Sequence, residues 1–218
     1  LYFSRMLNER VYQLPKLFPL PTTNNLLICV SGVGVTKDFS SIITDALPDL
    51  ELIGKSQCFP LYYYEEQETQ SPSLFDTAGE PKYVRRDGVS DFILERARRQ
   101  YGKNVTKEDI FYYVYGFLHS PEYRAAFATD LKKMLPRIPF VEDVRHFWAF
   151  SKAGRALADL HINYESVPAY PGVTVMGADS GFYTVEKMRF PQKDRKDTIL
   201  YNSKIAVSDI PPEAYEYV

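Results

Sequence analysis

The chain has 218 residues, of which 45% are hydrophobic and 25% charged, a balance typical of a globular protein with a buried core and not of a disordered chain. Its formal net charge of −2 argues against a uniformly basic nucleic-acid-binding protein. No stretch approaches the roughly 18 apolar residues of a membrane-spanning helix, and the first residues lack a signal-peptide pattern, so no membrane partner is expected.

The two cysteines indicate the cellular compartment. Cys29 and Cys58 lie in apolar or mixed surroundings and form neither a CxxC pair nor a Cys/His ligand spacing. This arrangement argues against a zinc site and against a secreted disulfide framework, and it favours a reducing cytoplasm. The chain begins without Met at LYFSRMLNER, and we expect it to be a fragment of a longer protein.

The N-terminal part is predicted to be rich in strands. Residues 26–36, LLICVSGVGVT, form a β-branched apolar run whose two glycines predict a bend after a buried strand. Irregular structure or a short helix is expected at 39–46, and a strand around 50–53. The aromatic run FPLYYYEEQ predicts another strand, and the polar segment 66–82 predicts an exposed loop.

Four helices are predicted in the centre of the chain. The first, in VSDFILERARRQYG, ends at the capping candidate Gly102, and a capping box of Thr106 and Asp109 starts the second. Ser120 and Pro121 suit the N-cap and first position of the third helix. The fourth is predicted over 143–160, DVRHFWAFSKAGRALADL.

Helical spacing predicts which side chains these helices bury. In the third helix the apolar residues share one face, so the aromatic residues between 110 and 135 are expected to pack as a helical hairpin. This face consists of Tyr123, Phe127, Leu131, Met134 and Leu135. In the fourth helix the inward residues are expected to be Phe147, Phe150, Leu157 and Leu160.

The C-terminal third is predicted to return to strands. VTVM, GFYTVEKMRF and TILYNSKIAVSDI are rich in β formers, and PQKDRKD is typical of a charged hairpin loop. The order β, α, β without a βαβ repeat predicts an α+β fold, with mixed β-sheet parts at both ends flanking a central helical hairpin region. The expected parts of this composite domain are a β-rich part at 1–80, a helical part at 81–165 and a β-rich part at 166–218.

Catalytic and metal-binding patterns are missing from the sequence. SGVGV contains only GxG, and neither a P-loop nor GxSxG occurs. The histidines at 119, 146 and 161 share no metal-ligand spacing and are expected to pack or to cap helices. A PD…(D/E)xK nuclease is disfavoured, because the D-x-K triplets at 130–132 and 194–196 fall in a predicted helix and a predicted loop. We therefore predict no catalytic residue and no metal site.

Charge is distributed unevenly along the chain. Nine acids and one base lie from Asp38 to Glu80, eight bases and three acids from Lys82 to Lys107, and six bases and two acids from Lys187 to Lys204. Such a field can hold a polyanion, although solvated surface loops explain the same pattern. Arg and Lys neutralise phosphates and read guanine, and Asn reads adenine. The DNA-binding candidates are Lys82, Arg85, Arg86, Arg98, Arg99, Lys187, Arg189, Lys193, Arg195, Lys196 and Asn202.

One long stretch carries a family resemblance. DIFYYVYGFLHSPEYRAAFATDLKKMLPRIPF resembles the C-terminal specificity region of type ISP restriction-modification enzymes, and it is also similar to fused recognition domains of adenine DNA methyltransferases. The resemblance extends upstream through LPDLELIGKSQCFPLYYYEE and downstream through FWAFSKAGRALADLHINYE, MRFPQK, ILYNSKI and IPPEAYEYV, and so covers most of the chain.

The resemblance implies a division of labour. This chain would be the target-recognition domain that selects a double-stranded DNA site, while an upstream methyltransferase domain of the same chain flips and methylates an adenine. S-adenosylmethionine would bind in that upstream domain, and no cofactor is expected here. Two alternatives stay open: a protein–protein or interdomain docking module without DNA contact, and the disfavoured nuclease.

Overall fold

A computed structural model of the chain describes residues 14–67 and 83–217. The polypeptide forms two compact units, Leu1–Tyr164 (unit 1) and Glu165–Val218 (unit 2). Short antiparallel sheets occur in both units and helices dominate the middle of the chain, so the predicted α+β class is confirmed.

Strands occupy the first half of unit 1, after a short helix. The elements are α1 (Leu14–Leu17), β1 (Leu27–Val30), β2 (Ser41–Thr44), β3 (Gln57–Pro60), β4 (Tyr62–Glu66) and β5 (Tyr83–Asp87). Three of these strands form an antiparallel sheet of order β2-β1-β3, and β4 pairs with β5 in a separate antiparallel ribbon. All four residues of β1 are buried because this strand is central.

Two sequence expectations in this region are wrong. A strand, β2, stands where irregular structure or a short helix was expected, because Ile43 pairs with Ile28 and both are buried. Residues 50–53, predicted as a strand, form turns instead. The Asp49 carboxylate accepts a hydrogen bond from the Glu51 amide at 2.8 Å, a local bond that favours a turn over a strand.

The expected bend follows β1, and glycine is required at its two positions for different reasons. Gly34 has φ of 78°, a conformation that other residues rarely adopt. At Gly32 an added Cβ would lie 2.2 Å from the carbonyl oxygen of Lys55, so the backbones approach too closely for a side chain. The predicted loop at 66–82 lies mostly in 68–82, outside the described residues.

The helices of unit 1 begin and end largely where the sequence indicates. They are α2 (Asp91–Tyr101), α3 (Lys107–Leu118), α4 (Pro121–Ala126), α5 (Ala128–Leu131) and α6 (Val144–Ile162), followed by a 3₁₀ turn at Tyr164–Ser166. The capping box of Thr106 with Asp109 and the Ser120–Pro121 start are confirmed, and Gly102 ends α2 at φ 113°. The third predicted helix is broken at Phe127, which caps both α4 and α5.

Aromatic rings of α3 and α4 pack together, with Phe117 and Tyr123 4.8 Å apart between centroids, but the main helix pair joins α3 to α6. A Cβ on Gly116 would lie 2.3 Å from the carbonyl oxygen of Phe150, and one on Gly154 would lie 2.0 Å from that of Tyr112. The two helices therefore cross with their backbones in contact. The Ser151 hydroxyl adds a 2.9 Å hydrogen bond to the carbonyl oxygen of Asp109.

The close crossing explains the burial pattern along α6. Its buried positions are Phe147, Ser151, Gly154 and Ala158, spaced by four, three and four residues. Three of them are small, because only small side chains fit against a backbone at this distance. Leu160, expected to face inward, is 48% exposed, whereas Ala158 is 2% exposed. Phe147 is buried, and Phe150 and Leu157 pack against the core, so three of the four predicted inward positions are confirmed and Leu160 is wrong.

Unit 2 contains little regular structure. Strands β6 (Thr174–Met176), β7 (Ile199–Leu200) and β8 (Ala206–Ser208) form an antiparallel sheet of order β6-β8-β7, with 3₁₀ turns at Ala178–Ser180 and Pro212–Tyr217. The strand predicted in GFYTVEKMRF is absent apart from one bridge between Arg189 and Leu200. Side chains donate hydrogen bonds to several backbone carbonyl groups of this stretch, and these bonds take the place of the backbone ladder of a strand.

Replacing Gly154 by Ala tests the helix crossing. Helix propensity alone predicts that this change stabilises the fold by up to about 1 kcal/mol. We expect instead a loss of roughly 1–3 kcal/mol in the free energy of unfolding, because the new methyl group forces α3 and α6 apart. Urea denaturation measures the difference.

The matched control is Ala153→Gly on the exposed side of the same helix. It should cost about 0.5–1 kcal/mol from propensity alone. A stabilised Gly154→Ala variant would contradict the close crossing.

Candidate nucleic-acid interface

Unit 2 concentrates its positive charge in one segment. All six of its Lys and Arg residues lie between 187 and 204, here called the cationic segment, and six of its eight acids lie outside that segment. All six cations are exposed. One antiparallel bridge closes the predicted charged loop at 191–197: the amides of Arg189 and Leu200 each donate to the other's carbonyl oxygen, at 3.2 and 2.8 Å.

The backbone of this loop is anchored from one side. The Ile210 amide donates to the carbonyl oxygen of Asp197 at 3.0 Å, and the Tyr215 hydroxyl donates to that of Lys196. Phe190 packs against the Tyr215 ring at 5.9 Å between centroids. These contacts use main-chain groups and aromatic rings, so the charged ends of the loop side chains stay in solvent.

Few carboxylates neutralise the cationic segment. Arg195 pairs with Asp197 at 3.3 Å, and both side chains are 57% exposed, so the pair contributes little stability and can be exchanged for another anion. Among the described residues, Lys187, Arg189, Lys193 and Lys196 form no ion pair. The segment therefore presents positive charge that is largely uncompensated locally.

Asn202 has a different role from its charged neighbours. It is 9% exposed. Its amide nitrogen donates to the carbonyl oxygens of Phe182 and Thr184 at 2.8 and 3.1 Å, and its carbonyl oxygen accepts from the amides of Lys204 and Ile205 at 2.8 and 2.7 Å. These four bonds fasten two stretches of unit 2 together. Base reading by Asn202 stays a prediction, and it would require breaking them.

The stretch that Asn202 holds is exposed and has no regular secondary structure apart from the bridge at Arg189. Residues 181–190 are all exposed, including Tyr183 at 61% and Met188 at 56%. The Tyr201 hydroxyl donates to the carbonyl oxygen of Tyr183 at 3.0 Å, and the Ser203 amide donates to the Glu186 carboxylate at 3.0 Å. The structure thus places exposed apolar side chains directly before the cationic segment and at its start.

The candidates on the β4–β5 ribbon of unit 1 are already engaged. Arg86 pairs with Glu65 at 2.9 Å, a hydrogen bond that raises the pKa of Arg86, and both side chains are 53% exposed. The guanidinium of Arg85 lies 4.3 Å from the centre of the Tyr62 ring. Lys82 lies outside the described residues.

The candidates on α2 make backbone contacts. Arg98 donates to the carbonyl oxygen of Val105 at 2.9 Å, which ties the end of α2 to the start of α3. Arg99 donates to the carbonyl oxygen of Glu95 within its own helix at 3.4 Å and is exposed. The two groups of candidate cations therefore differ. Those of unit 1 that the structure describes contact groups within the protein, whereas most of those in unit 2 have no anionic partner.

Packing or capping was predicted for all three histidines, and it is confirmed for His119 and His161. His119 ends α3, and its Nδ1 lies 3.1 Å from an Arg124 guanidinium nitrogen. Burial, with a contribution from Arg124, lowers the pKa of His119 to about 3. His161 is hydrogen-bonded to the Tyr115 hydroxyl, and burial lowers its pKa. His146 is exposed near the start of α6.

Residues 14–67 and 83–217 also bear on metal binding and on membrane insertion. Within these ranges no group of three or more His, Cys, Asp or Glu side chains is placed to hold a metal ion. No helix in the same part of the chain has both the length and the apolar character needed to cross a membrane.

Comparisons with known proteins point to one family. The sequence model of the family described as Type ISP C-terminal specificity domain matches residues 1–218. The comparison with curated protein sequences gave no match.

Three solved structures are similar to the whole chain. A DNA-bound structure of the ATP-dependent Type ISP restriction-modification enzyme LlaBIII has 37% identity and a TM-score of 0.80, and the chain covers 13% of it. A nuclease-deletion mutant of the Type ISP enzyme LlaGI, in complex with a DNA substrate mimic, has 38% identity, a TM-score of 0.73 and 18% coverage. A DrdV–DNA complex has 32% identity, a TM-score of 0.77 and 21% coverage. This chain thus spans a minor part of each relative.

Replacing Asn202 by Ala tests its structural role. The change leaves four backbone groups without their partner, and we expect unit 2 to lose roughly 2–4 kcal/mol of local stability. Hydrogen exchange should accelerate at the Lys204 and Ile205 amides, which donate to Asn202 directly. Ser203→Ala is the control, since the Ser203 amide bond to Glu186 survives it. Unchanged exchange in Asn202→Ala would contradict this role.

The buried His119 predicts acid sensitivity. Its pKa in the folded state, about 3, lies below the ordinary 6.5, so on acidification the unfolded state takes up the proton first. Its contribution to stability is complete above about pH 6.5 and is lost as the pH falls towards 3. His119→Asn keeps an acceptor for Arg124 but cannot titrate, and should lessen the loss by on the order of 2 kcal/mol.

Urea unfolding at neutral and mildly acidic pH measures this difference. His146→Asn, at an exposed position, is the control and should retain the wild-type pH dependence. Equal acid sensitivity of the wild type and His119→Asn would show that other groups govern it.

Proposed function

The chain belongs to the family of Type ISP C-terminal specificity domains, and on this basis we propose that it recognises a double-stranded DNA target within a restriction-modification enzyme. The single observation that carries the proposal is the cationic segment, which holds every Lys and Arg of unit 2 in an exposed stretch with one internal ion pair among the described residues. The DNA in the three similar structures supports the same function.

Phosphate binding is the first step of the proposed mechanism. Lys193 and Lys196 carry compact charges on flexible stems beside an anchored backbone, so they can reach phosphates without disturbing the fold. Binding releases counterions, which makes the affinity depend steeply on salt. Arg195 can exchange its exposed partner Asp197 for a phosphate at little cost.

Base reading is the second step. Arg189 is held at a backbone bridge with Leu200, which limits its position more than that of the loop residues. An arginine in a fixed position suits bidentate contact with guanine in the major groove. The exposed apolar side chains just upstream, such as Val185 and Met188, suit contact with the thymine methyl group.

Unit 1 has a supporting role in this proposal. Its exposed Arg99 and the ribbon arginines, Arg85 and Arg86, can add phosphate contacts if Arg86 gives up Glu65. The helical core positions them without reading bases. Because their present partners compete with DNA, we assign the larger share of binding to the cationic segment.

The wider reaction belongs to other parts of the enzyme. We propose that a domain upstream of these 218 residues in the parent enzyme binds S-adenosylmethionine. That domain methylates an adenine in the DNA site that these residues select. No cofactor is assigned to this chain, and the cytoplasmic location expected from the sequence belongs to the same proposal. An adenine must leave the base stack to be methylated, so site selection has to hold the duplex in a fixed register.

Removing three charges from the cationic segment tests phosphate binding. In the variant Lys193→Ala/Arg195→Ala/Lys196→Ala we expect affinity for duplex DNA to fall about 10- to 100-fold at moderate salt. The slope of log affinity against log salt should decrease by roughly 2–3, near 0.9 for each lost phosphate contact. Fluorescence anisotropy at several salt concentrations measures both quantities.

The control removes three exposed lysines from unit 1, at 37, 133 and 152, and changes net charge equally. It should alter the slope much less. Equal effects of the two triple variants would show that binding depends only on net charge. A wild-type affinity without salt dependence would favour the docking module.

Arg189→Ala tests base reading separately. If Arg189 reads a guanine, the variant should lose about 1–3 kcal/mol of discrimination at one base pair. The slope of log affinity against log salt should change by less than the roughly 0.9 expected for one lost phosphate contact. Selection from a pool of randomised duplexes, followed by sequencing, shows which position relaxes. If the variant binds all sequences more weakly to the same extent, Arg189 contacts a phosphate and not a base.

A further inference from the structure

The two cysteines, distant in sequence, meet across the sheet of unit 1. The register of β1 with β3 places Cys29 opposite Cys58, and their sulfur atoms lie 3.2 Å apart with both thiols free. No other cysteine occurs in the sequence. Any disulfide within one molecule of this chain would therefore join these two residues.

The ladder geometry decides whether such a bond can form. The Leu61 amide donates to the carbonyl oxygen of Leu26 at 2.7 Å, which marks a hydrogen-bonded pair in this register. Hydrogen-bonded and non-hydrogen-bonded pairs alternate along an antiparallel ladder. Cys29 and Cys58 form the third pair after Leu26 and Leu61, so they are a non-hydrogen-bonded pair. In such pairs the Cα atoms lie about 4.5 Å apart, within the range of about 4.4–6.8 Å that disulfides span.

The two thiols differ in access and in acidity. Cys29 is 0% exposed on the central strand, whereas Cys58 is partly exposed on the edge strand β3. The hydrogen bond between them lowers the pKa of the Cys58 thiol, and that bond together with burial raises the pKa of Cys29. Cys58 is thus the thiol that a reagent in solution meets first, and it is the better nucleophile at neutral pH.

We propose that Cys29 and Cys58 form a reversible thiol–disulfide exchange site that reacts with small disulfides such as oxidised glutathione. The Cys58 thiolate attacks one sulfur of the reagent, forms a mixed disulfide and expels the first thiolate. Cys29 then gives up its proton to solvent and its sulfur attacks that of Cys58, expelling the second thiolate. The protein loses two electrons and two protons, and the reagent becomes two thiols.

The product would link the edge strand to the centre of the sheet. The new bond closes the chain between residues 29 and 58, and it needs the sulfur atoms to approach by only about 1 Å, to the bond length of roughly 2.05 Å. β3 leads through Leu61 into β4, so the link also fixes the start of the β4–β5 ribbon. A reducing thiol in excess reverses both steps.

Mass spectrometry of the intact 218-residue chain tests the proposal. After exposure to excess oxidised glutathione and alkylation of free thiols under denaturing conditions, we expect an intact mass lower by two hydrogen atoms. No alkyl group should be present, and a proteolytic peptide pair should be joined through Cys29 and Cys58. Dithiothreitol should restore two alkylatable thiols.

Two variants separate the roles of the thiols. Cys29→Ser should stop at a stable mixed disulfide on Cys58, and Cys58→Ser should acquire no adduct because Cys29 is buried. The proposal is overturned if the wild-type protein retains two alkylatable thiols, or if it carries glutathione on Cys58 with Cys29 still free. The wild-type result decides the question even if a variant folds poorly.

Discussion

The backbone contact between α3 and α6 is the constraint on which unit 1 depends. With no side chain at Gly116 and Gly154, the two helices approach until each glycine faces a carbonyl oxygen of the other helix. Aromatic residues then pack beside this contact: Tyr113 and Phe147 lie 5.0 Å apart between ring centroids, and Tyr101 stacks on Phe147 at 4.2 Å. The many aromatic residues of the central stretch are thus a core built around a narrow crossing.

That core explains why so many polar groups of unit 1 serve the fold. The hydroxyls of Tyr101 and Tyr113 donate to the carbonyl oxygens of Val141 and Pro139, both at 2.7 Å, and so hold the segment that enters α6. Tyrosine suits these places because its ring is buried while its hydroxyl satisfies a loop carbonyl. These two tyrosines thus anchor the loop that leads into α6.

Local chemistry was predictable from the sequence, and long-range pairing was not. Thr106 with Asp109 and Ser120 with Pro121 were identified because a cap depends on residues within one turn. The partner of α3 was missed because the signal lay in small residues of α6, and a search for large apolar side chains ignores them. Among the candidate site residues, charge clustering located the cationic segment, but Asn202 showed no sign in its sequence of the four hydrogen bonds it makes.

The physical constraint on unit 2 is the repulsion among its clustered cations, which has no counterpart in the helix crossing of unit 1. A surface that binds a polyanion must keep like charges close together, and their repulsion opposes a compact fold. In unit 2 the chain around those charges is held by an uncharged side chain, Asn202, and by backbone and aromatic contacts, so folding does not require the cations to be paired. The same arrangement leaves them available to phosphates. Under the proposed function, scaffold and binding groups would be separate residues, and substitutions in the loop would change the target with little cost to the fold.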